Sequence, residues 1–321
     1  MVKEILNKIK EADSIIIIGH VSPDGDCLGA AFGLKEIIKD SFNKTKVYAV
    51  GEESKTLAYM GKLDRVEDKV FKESLVISVD TATIDRIADS RYKYAKDIVK
   101  IDHHLNSEKT GSIDYVVSDI SSVCELITEI AKDNNLVVSK YAADSLLIGI
   151  ITDSGGFRYE GVSPKTFMMA SYLVEHGADV VEINKKISMV SLRELKIKGY
   201  VIDNMKVTDE GFAYCLITKD VMEEYKVFYE EASNAINVLS NIYGYPVWAL
   251  ILEKEGEYRI RLRSNGPRID LLANKYDGGG HKMASGCHIF NRKEIHQFSV
   301  DADEVIRKFK RGEEEWFTYK K

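Results

Sequence analysis

Short β-rich apolar runs that alternate with helical segments constrain the fold of this chain more than any other feature. Such runs occur at residues 14–19, 46–50, 75–79 and 98–101. Apolar residues at helical spacing fill residues 28–40, and residues 121–134 and 141–151 have the pattern of further helices. Strands that alternate with helices predict a parallel sheet covered on both faces, which is an α/β fold.

A second set of strands and helices follows a charged helical stretch at residues 166–205. Strand-like runs resume at residues 212–217, 247–253 and 258–263, and a helical segment lies at residues 231–242. A length of 321 residues suits two domains better than one. We therefore predict a catalytic domain, a helical linker and a smaller C-terminal α/β domain with a mixed sheet, at residues 1–190, 191–208 and 209–321.

The composition is that of a globular protein, with 45% hydrophobic and 30% charged residues. No apolar run reaches the roughly 18 residues that a membrane span requires. Residues 1–11 form an amphipathic pattern without the apolar centre of a signal peptide, so we expect a cytoplasmic protein. The four cysteines are widely spaced and form no CxxC pair, which predicts neither a zinc site nor a disulfide framework.

The net charge of −6 limits the range of partners. Proteins that coat long nucleic acids usually carry a basic face and a high pI, so we expect no long nucleic acid here. An anionic substrate would instead require a local basic patch, metal ions or both. The charge therefore favours short substrates. As a separate matter, the sequence is compatible with a homodimer.

Acidic and imidazole side chains cluster directly after the predicted strands. They follow three strands and one apolar helix-like run, as His20, Asp24 and Asp26, then Asp80, then Asp102, His103 and His104, and finally Asp153. Ligands of open parallel sheets bind outside the carboxyl ends of the strands. We therefore expect these side chains to meet at one edge of the sheet.

Such a meeting would bring several carboxylates together, and they would repel one another unless cations neutralised them. Asp24 alone could be a turn residue and Asp80 alone a helix cap, but their joint occurrence with the paired histidines favours a metal site. Imidazole and carboxylate ligands suit manganese, zinc or iron better than calcium. Two divalent ions about 3.5–4 Å apart, bridged by one carboxylate, would satisfy this set.

The four motifs resemble those of the DHH phosphoesterases. The segment at residues 278–286, Gly-Gly-Gly-His-Lys-Met-Ala-Ser-Gly, resembles the signature of the DHH-associated C-terminal domain. The resemblance spans nearly the whole chain in the expected order. Length and layout are similar to the group of oligoribonucleases that also act as phosphatases of 3′-phosphoadenosine 5′-phosphate (pAp), known as nanoRNases.

The resemblance implies a pair of divalent ions, usually Mn²⁺ with Mg²⁺ as the alternative, in a cleft between the two domains. Six side chains would bind them, namely His20, Asp24, Asp26, Asp80, His103 and Asp153. His20 and Asp24 would bind the first ion, Asp80 would bridge both, and the remaining three would bind the second. Asp102 would not bind the ions directly but would contact the residues that do. His104 would face the substrate or the attacking water.

Substrate recognition is expected mainly from the second domain. The candidate ligands are Arg158, Arg263, Ser264, Gly278, Gly279, Gly280 and His281. Successive glycine N–H groups can cradle an anion, and arginine offers a bidentate fork for phosphate. Arg259, Arg261 and Arg263 alternate on one strand and would concentrate positive charge on one face.

These inferences predict metal-dependent hydrolysis of phosphoester bonds in short nucleotide substrates by an activated water. The resemblance implies oligoribonucleotides of about two to five nucleotides, or conversion of pAp to AMP. A phosphodiesterase of c-di-AMP or pApA fits the same motifs and is the main alternative. A RecJ-like exonuclease, a manganese pyrophosphatase and a nucleotide-binding module without catalysis are further alternatives.

Overall fold

The chain divides into two compact units, with the boundary between Met189 and Val190. This division is seen in a computed structural model that describes residues 1–105, 107–159 and 161–312. None of the described helices combines the length and the apolar sequence needed to cross a bilayer.

The first unit is built on a five-stranded sheet. Its strands are β1 (Ile15–Ile18), β2 (Val47–Val50), β3 (Leu75–Val79), β4 (Asp97–Asp102) and β5 (Ile113–Val116). Its helices are α1 (Val2–Glu11), α2 (Gly25–Phe42), α3 (Asp68–Glu73), α4 (Val123–Asp133), α5 (Lys140–Asp153), α6 (Pro164–Glu175) and α7 (Val180–Ser188). All strand pairs are parallel in the order β2-β1-β3-β4-β5, which confirms the predicted parallel α/β architecture.

The sheet is covered on both faces, which explains why β1 is a run of four isoleucines. Ile15 and Ile17 belong to the large core formed with α2 and α5, whereas Ile16 and Ile18 pack with Phe71 on the opposite face. All four isoleucines are 0% exposed. A strand buried on both faces needs apolar residues at every position, and this is the pattern that made the strand recognisable in the sequence.

The strand order also places the site. After β1 the chain continues to β2 on one side, and after β3 it continues to β4 on the opposite side. The gap between β1 and β3 is therefore the topological switch point of the sheet. Doubly wound sheets with this order bind their ligands outside the carboxyl ends of the strands at that point. His20 follows β1 and Asp80 follows β3, so both lie at the switch point.

Helices α2 and α5 pack closely through glycines spaced four residues apart on α2. A Cβ atom at Gly29 would lie 2.5 Å from the Ser145 carbonyl oxygen, and one at Gly25 would lie 2.3 Å from the Thr152 hydroxyl. Close approach therefore depends on the missing side chains. The contact joins the start of α2 to the end of α5, and it brings the residues after Asp24 near Asp153.

Gly29→Ala is expected to destabilise the first unit by about 1–3 kcal/mol, because the methyl group meets a backbone carbonyl that cannot rotate away. Gly199→Ala is the matched control, since Gly199 also lies in a helix but a Cβ added there would have no neighbouring atom within 4 Å. That change should be neutral or stabilise by up to about 1 kcal/mol through helix propensity. Urea unfolding measures both effects, and equal stability of the two variants would contradict the close-packing interpretation.

The second unit contains a six-stranded mixed sheet. Its strands are β6 (Lys206–Val207), β7 (Phe212–Ile217), β8 (Val247–Glu253), β9 (Tyr258–Ser264), β10 (Gly279–His281) and β11 (Ala284–Ile289). Its helices are α8 (Leu192–Asn204), α9 (Lys219–Glu224), α10 (Tyr229–Asn234), α11 (Asp270–Lys275) and α12 (Glu294–Lys310). The order is β10-β11-β9-β8-β7-β6, with β7 and β8 parallel and the other pairs antiparallel, which confirms the predicted mixed sheet.

The two faces of this sheet are covered by different helices. Helices α11 and α12 pack on one face against Ile260 and Leu262. On the other face, α8, α10 and the 3-10 helix Ala235–Leu239 pack against β7 and β8. Ile197 and Val201 of α8 are fully buried in that core, so the helix at residues 192–204 is part of the second unit.

Candidate metal centre

His20 is oriented by a backbone carbonyl. Its Nδ1 lies 2.9 Å from the Val21 carbonyl oxygen, and its Nε2 lies 3.4 Å from Asp80 Oδ2 and 3.8 Å from Asp24 Oδ1. A proton on Nδ1 that is donated to the carbonyl leaves the lone pair on Nε2, facing the carboxylates. This is the arrangement that protein backbones use to orient histidine ligands.

The two aspartates at the start of α2 have different environments. Asp24 is the N-cap residue, and its Oδ1 accepts hydrogen bonds from the N–H groups of Asp26 and Cys27. Its side chain remains 59% exposed. Asp26 is buried, and its carboxylate accepts the first free N–H groups of α4, those of Val123 at 2.7 Å and Cys124 at 2.9 Å. The positive end of α4 therefore helps to hold a buried anion.

Asp80 occupies the centre of the cluster. Its Oδ2 lies 3.4 Å from His20 Nε2, while its Oδ1 lies 3.5 Å from His103 Nε2. The residue is 3% exposed and has a φ of 50°, a left-handed conformation that aspartate tolerates better than most residues. Each oxygen of this carboxylate thus faces a different histidine, as a bridging ligand requires.

A second group of potential ligands lies on the other side of Asp80. His103 Nε2 is 3.5 Å from Asp153 Oδ2, and the ligand atoms of Asp26, His103 and Asp153 all lie within 4.8 Å of one another. Asp153 is the last residue of α5, so one of the four segments enters the site from a helix end instead of a strand end. The structure thus brings together residues as distant in the sequence as Asp26 and Asp153.

One neighbour of the cluster was missed in the sequence. The Cys27 thiol, together with His20 and Asp80, forms another group of atoms within 4.8 Å, whereas Asp24 belongs to no such group among the described residues. Burial raises the pKa of Cys27 to about 11, which keeps the thiol neutral near physiological pH. No cysteine spacing pointed to it, and the only signal was its position directly after the Asp24-Gly-Asp26 motif.

The electrostatics of the cluster fit a cation site. Burial raises the pKa of Asp26, and the nearby charges of Asp80 and Asp153 raise it further. Burial likewise raises the pKa of Asp153 to about 7. Burial alone would lower the pKa of His103, but the surrounding carboxylates outweigh it and raise the pKa to about 10. Buried carboxylates at this density need positive charge, and their mixture with imidazole nitrogens suits a transition-metal ion.

A network behind the cluster orients His104. The carboxylate of Asp102 accepts hydrogen bonds from His104 Nδ1 at 2.7 Å and from Ser107 Oγ at 2.5 Å. Lys100 lies 3.5 Å from the same carboxylate and donates to the carbonyls of Ala82 and Glu108, each at 3.0 Å. Burial opposes ionisation of Asp102, but the hydrogen bonds from His104 and Ser107 outweigh it and lower the pKa to about 2.

Lys100 is the second neighbour of the cluster that was missed in the sequence. Both Lys100 and Asp102 are 0% exposed, so this is a fully buried ion pair. Buried lysines are rare unless they are paired. A single lysine inside the apolar strand at residues 97–102 was the available signal, and its partner two residues later on the same strand face completes it.

The metal-free protein is expected to lose stability as the pH rises from about 5 to about 9. An unfolded aspartate has a pKa of about 3.9, whereas the pKa of folded Asp153 is raised to about 7. Between these two pH values the folded chain binds more protons than the unfolded chain, so its stability falls as the pH rises. The stabilisation from His103 is complete below a pH of about 6.5, the pKa of an unfolded histidine, and it is lost as the pH rises towards the raised pKa of the folded residue. His103 therefore also makes the folded protein less stable as the pH rises.

The expected loss is on the order of 1–2 kcal/mol after discounting for partial exposure. Denaturant unfolding in EDTA at several pH values measures it. Saturating Mn²⁺ serves as the control, because ligation removes the proton competition and should flatten the profile. A metal-free stability that rises between these pH limits would refute the electrostatic interpretation.

The residues expected to recognise substrate are distributed over both units. Arg158 is exposed on the loop after α5, and its Nε donates to the Gly155 carbonyl. Arg263 lies near the end of β9, partly buried. Ser264 is buried, and its hydroxyl donates to the Pro267 carbonyl at 2.6 Å, so it orders the following turn.

The glycine-rich segment forms a hairpin. Gly279, Gly280 and His281 make up β10, which pairs with β11, and Gly278 precedes it. Gly280 has a φ of 140°, and a Cβ there would lie 2.6 Å from the Ala284 carbonyl oxygen, so only glycine fits. His281 is exposed at the end of β10, directly across the hairpin from Ala284.

Comparison with known proteins agrees with this description. Residues 14–150 match the DHH family, N-terminal domain, and residues 212–308 match the DHHA1 domain. The bifunctional oligoribonuclease and PAP phosphatase NrnA of Bacillus subtilis (strain 168) is 33% identical over 310 residues, covering 96% of this chain and 99% of that protein. A Streptococcus mutans protein described as a probable bifunctional oligoribonuclease and PAP phosphatase NrnA is 36% identical over 293 residues, covering 91% of this chain and 94% of that protein.

A solved structure supports the assignment. The crystal structure of an exopolyphosphatase-related protein from Bacteroides fragilis superposes with a TM-score of 0.86 at 26% identity, covering 96% of each chain. The match to the DHH family falls on the unit with the five-stranded sheet, and the match to the DHHA1 domain falls on the unit with the six-stranded sheet. The chain therefore belongs to the DHH family of phosphoesterases and carries a DHHA1 domain in its second unit.

Proposed function

We propose that this protein hydrolyses short oligoribonucleotides to mononucleotides and converts pAp to AMP, using two divalent ions, with Mn²⁺ preferred over Mg²⁺. The observation that carries the proposal is the Asp80 carboxylate, whose two oxygens face His20 and His103 at 3.4 and 3.5 Å. The relatives from Bacillus subtilis and Streptococcus mutans bear both activities in their names. The acidic net charge of −6 favours short substrates over long nucleic acids.

The ligands divide into two sets that share Asp80. His20 and Asp24 would hold one ion, and the group formed by Asp26, His103 and Asp153 would hold the other. Two ions bound there would supply positive charge to the phosphoryl oxygens and would lower the pKa of a bound water towards neutrality.

The protein's own groups supply orientation and proton transfer. Asp102 accepts a hydrogen bond from His104 Nδ1 and thereby fixes the tautomer and the direction of the ring. The lone pair on Nε2 of His104 is then available to accept a proton during the reaction, and the ring in its protonated form can donate to a phosphate oxygen. His104 retains 29% side-chain exposure, which leaves it accessible to a substrate.

Substrate binding would fall to cationic groups and backbone N–H groups. We propose that Arg263 and His281 bind a phosphate and that the hairpin at residues 278–281 allows close approach of the substrate. The exposed Arg158 would contact the substrate near Asp153. Four buried free cysteines are compatible with a reducing compartment, and we propose that the protein acts in the cytoplasm.

A panel of substrates tests the proposal. Initial rates would be measured on RNA dinucleotides to pentanucleotides, pAp, pApA and c-di-AMP, with Mn²⁺ and Mg²⁺ in parallel. We expect the highest kcat/KM on short RNA and pAp, and higher rates with Mn²⁺. A preference for c-di-AMP or pApA of tenfold or more would replace the proposed substrates, and the absence of hydrolysis with every substrate and metal would refute a catalytic function.

A further inference from the structure

A buried thiol lies among the side chains that would hold the first ion. The Cys27 sulfur, a ring nitrogen of His20 and a carboxylate oxygen of Asp80 all lie within 4.8 Å of one another. All three residues are buried, and Cys27 is only 2% exposed. Thiolate, imidazole and carboxylate are the side-chain groups that bind zinc in proteins, and three of them leave a fourth position for a water or a substrate oxygen. This group therefore has the composition of a metal site that includes sulfur.

The backbone at the end of β1 makes room for the sulfur. A Cβ atom at Gly19 would lie 2.1 Å from Cys27 Sγ and 3.6 Å from the Val79 carbonyl oxygen. Gly19 follows β1, and Val79 is the last residue of β3, the strand beside β1 in the sheet. The missing side chain at Gly19 therefore lets the thiol lie near the gap between these two strands, after which His20 and Asp80 leave the sheet.

Asp24 helps to place the thiol, in addition to offering an oxygen to the ion. Its Oδ1 accepts hydrogen bonds from the N–H groups of Asp26 at 3.1 Å and Cys27 at 3.0 Å, as the N-cap residue of α2. These bonds fix the backbone of Cys27 in the first turn of the helix. The loop that carries the candidate ligands His20 and Asp24 thus also holds the sulfur beside them.

The other cysteines have different surroundings. The Cys124 thiol donates to the Asp26 carbonyl oxygen at 3.4 Å, and Cys215 and Cys287 are buried in the apolar cores of the second unit. Within the part of the chain that the structure describes, Cys27 is the cysteine whose sulfur belongs to a group of potential metal ligands. Its position is therefore distinct from that of a thiol that only fills space in a core.

We propose that Cys27 binds the first ion together with His20 and Asp80, and that its sulfur makes this position select zinc or cobalt over manganese. Soft sulfur ligands favour zinc, whereas a group of oxygen and nitrogen ligands, such as the one around His103, accepts manganese. When the ion binds, a bond from sulfur to the metal replaces the S–H bond, and the proton passes to the solvent. The inference rests on the two-ion centre of the proposed function and predicts that its two positions prefer different ions.

The test is the absorption spectrum of the whole protein titrated with Co²⁺, without substrate and with a phosphine reductant that keeps the thiols reduced. A bond between cobalt and a thiolate gives a charge-transfer band in the near ultraviolet, which oxygen and nitrogen ligands do not give. Cys27→Ser and Cys27→Ala would be compared with the wild type. Cys215→Ser is the matched control, because Cys215 is an equally buried thiol in the core of the second unit. Circular dichroism checks that each variant is folded.

We expect the band in the wild type and in Cys215→Ser, and we expect both variants at Cys27 to lose it. Competition titrations with Zn²⁺ and Mn²⁺ give a second measurement. The ratio of the Zn²⁺ affinity to the Mn²⁺ affinity should fall by about tenfold or more in Cys27→Ala, because the substitution removes the one soft ligand and leaves the others. The control variant should keep the ratio of the wild type.

A wild-type protein that binds Co²⁺ without the band would overturn the inference, whether or not the variants fold. Persistence of the band in Cys27→Ala, or an unchanged ratio of the Zn²⁺ and Mn²⁺ affinities, would also overturn it. Failure of the wild type to bind Co²⁺ at all would overturn both the thiol ligand and the two-ion centre. A protein that shows the band but hydrolyses no substrate would refute only the proposed function, and an active enzyme without the band would refute only the thiol ligand.

Discussion

Asp80→Asn is expected to reduce metal-dependent hydrolysis by about 10³-fold or more, since losing a bridging charge removes several kcal/mol of transition-state stabilisation. Asparagine is the most suitable replacement because it tolerates the left-handed backbone at this position, where φ is 50°. The amide keeps the shape of the side chain but offers only one oxygen in place of the two that face His20 and His103.

The measurement is kcat with saturating Mn²⁺, together with calorimetric titration of the metal. Asp85→Asn is the matched control, because Asp85 is an exposed aspartate five residues further along the chain and outside the cluster. The control should retain full activity. An Asp80→Asn protein that is folded and remains within tenfold of the wild type would disprove the bridging role.

Lys100→Met is expected to destabilise the first unit by about 3–5 kcal/mol. The change removes the cation of a fully buried pair and leaves the Asp102 carboxylate buried without it. It also removes two hydrogen bonds to the carbonyls of Ala82 and Glu108, which join the loops after β3 and β4. The melting temperature should fall by roughly 10 °C, as measured by circular dichroism.

A double variant separates the charge effect from the loss of packing. Lys100→Met combined with Asp102→Asn removes both charges, so it should be less destabilised than the sum of the two single variants. A simple sum would show that the two side chains do not interact. Unchanged stability of Lys100→Met would show that the buried ion pair contributes nothing.

The sequence alone determined where most strands of the first sheet lie and which acidic and imidazole residues follow them. Strands β3, β7 and β8 have the bounds expected from their apolar runs, because a strand buried by its neighbours needs apolar residues along its length. The mixed second sheet and the gathering of Asp80 and His103 at strand ends also follow from local pattern and from the geometry of parallel sheets. In contrast, β5 was not expected, because its four residues are partly exposed and form no continuous apolar run.

The tertiary structure decided which of these residues meet and what supports them. Asp153 joins the cluster from a helix end because glycines let α2 and α5 approach closely, and no periodicity in the sequence encodes that contact. The burial of Cys27 beside His20 and the pairing of Lys100 with the loops after β3 and β4 likewise depend on packing between distant segments. Hydrophobic periodicity reports the environment of each residue along its own element, whereas contacts between elements depend on how closely their backbones pack.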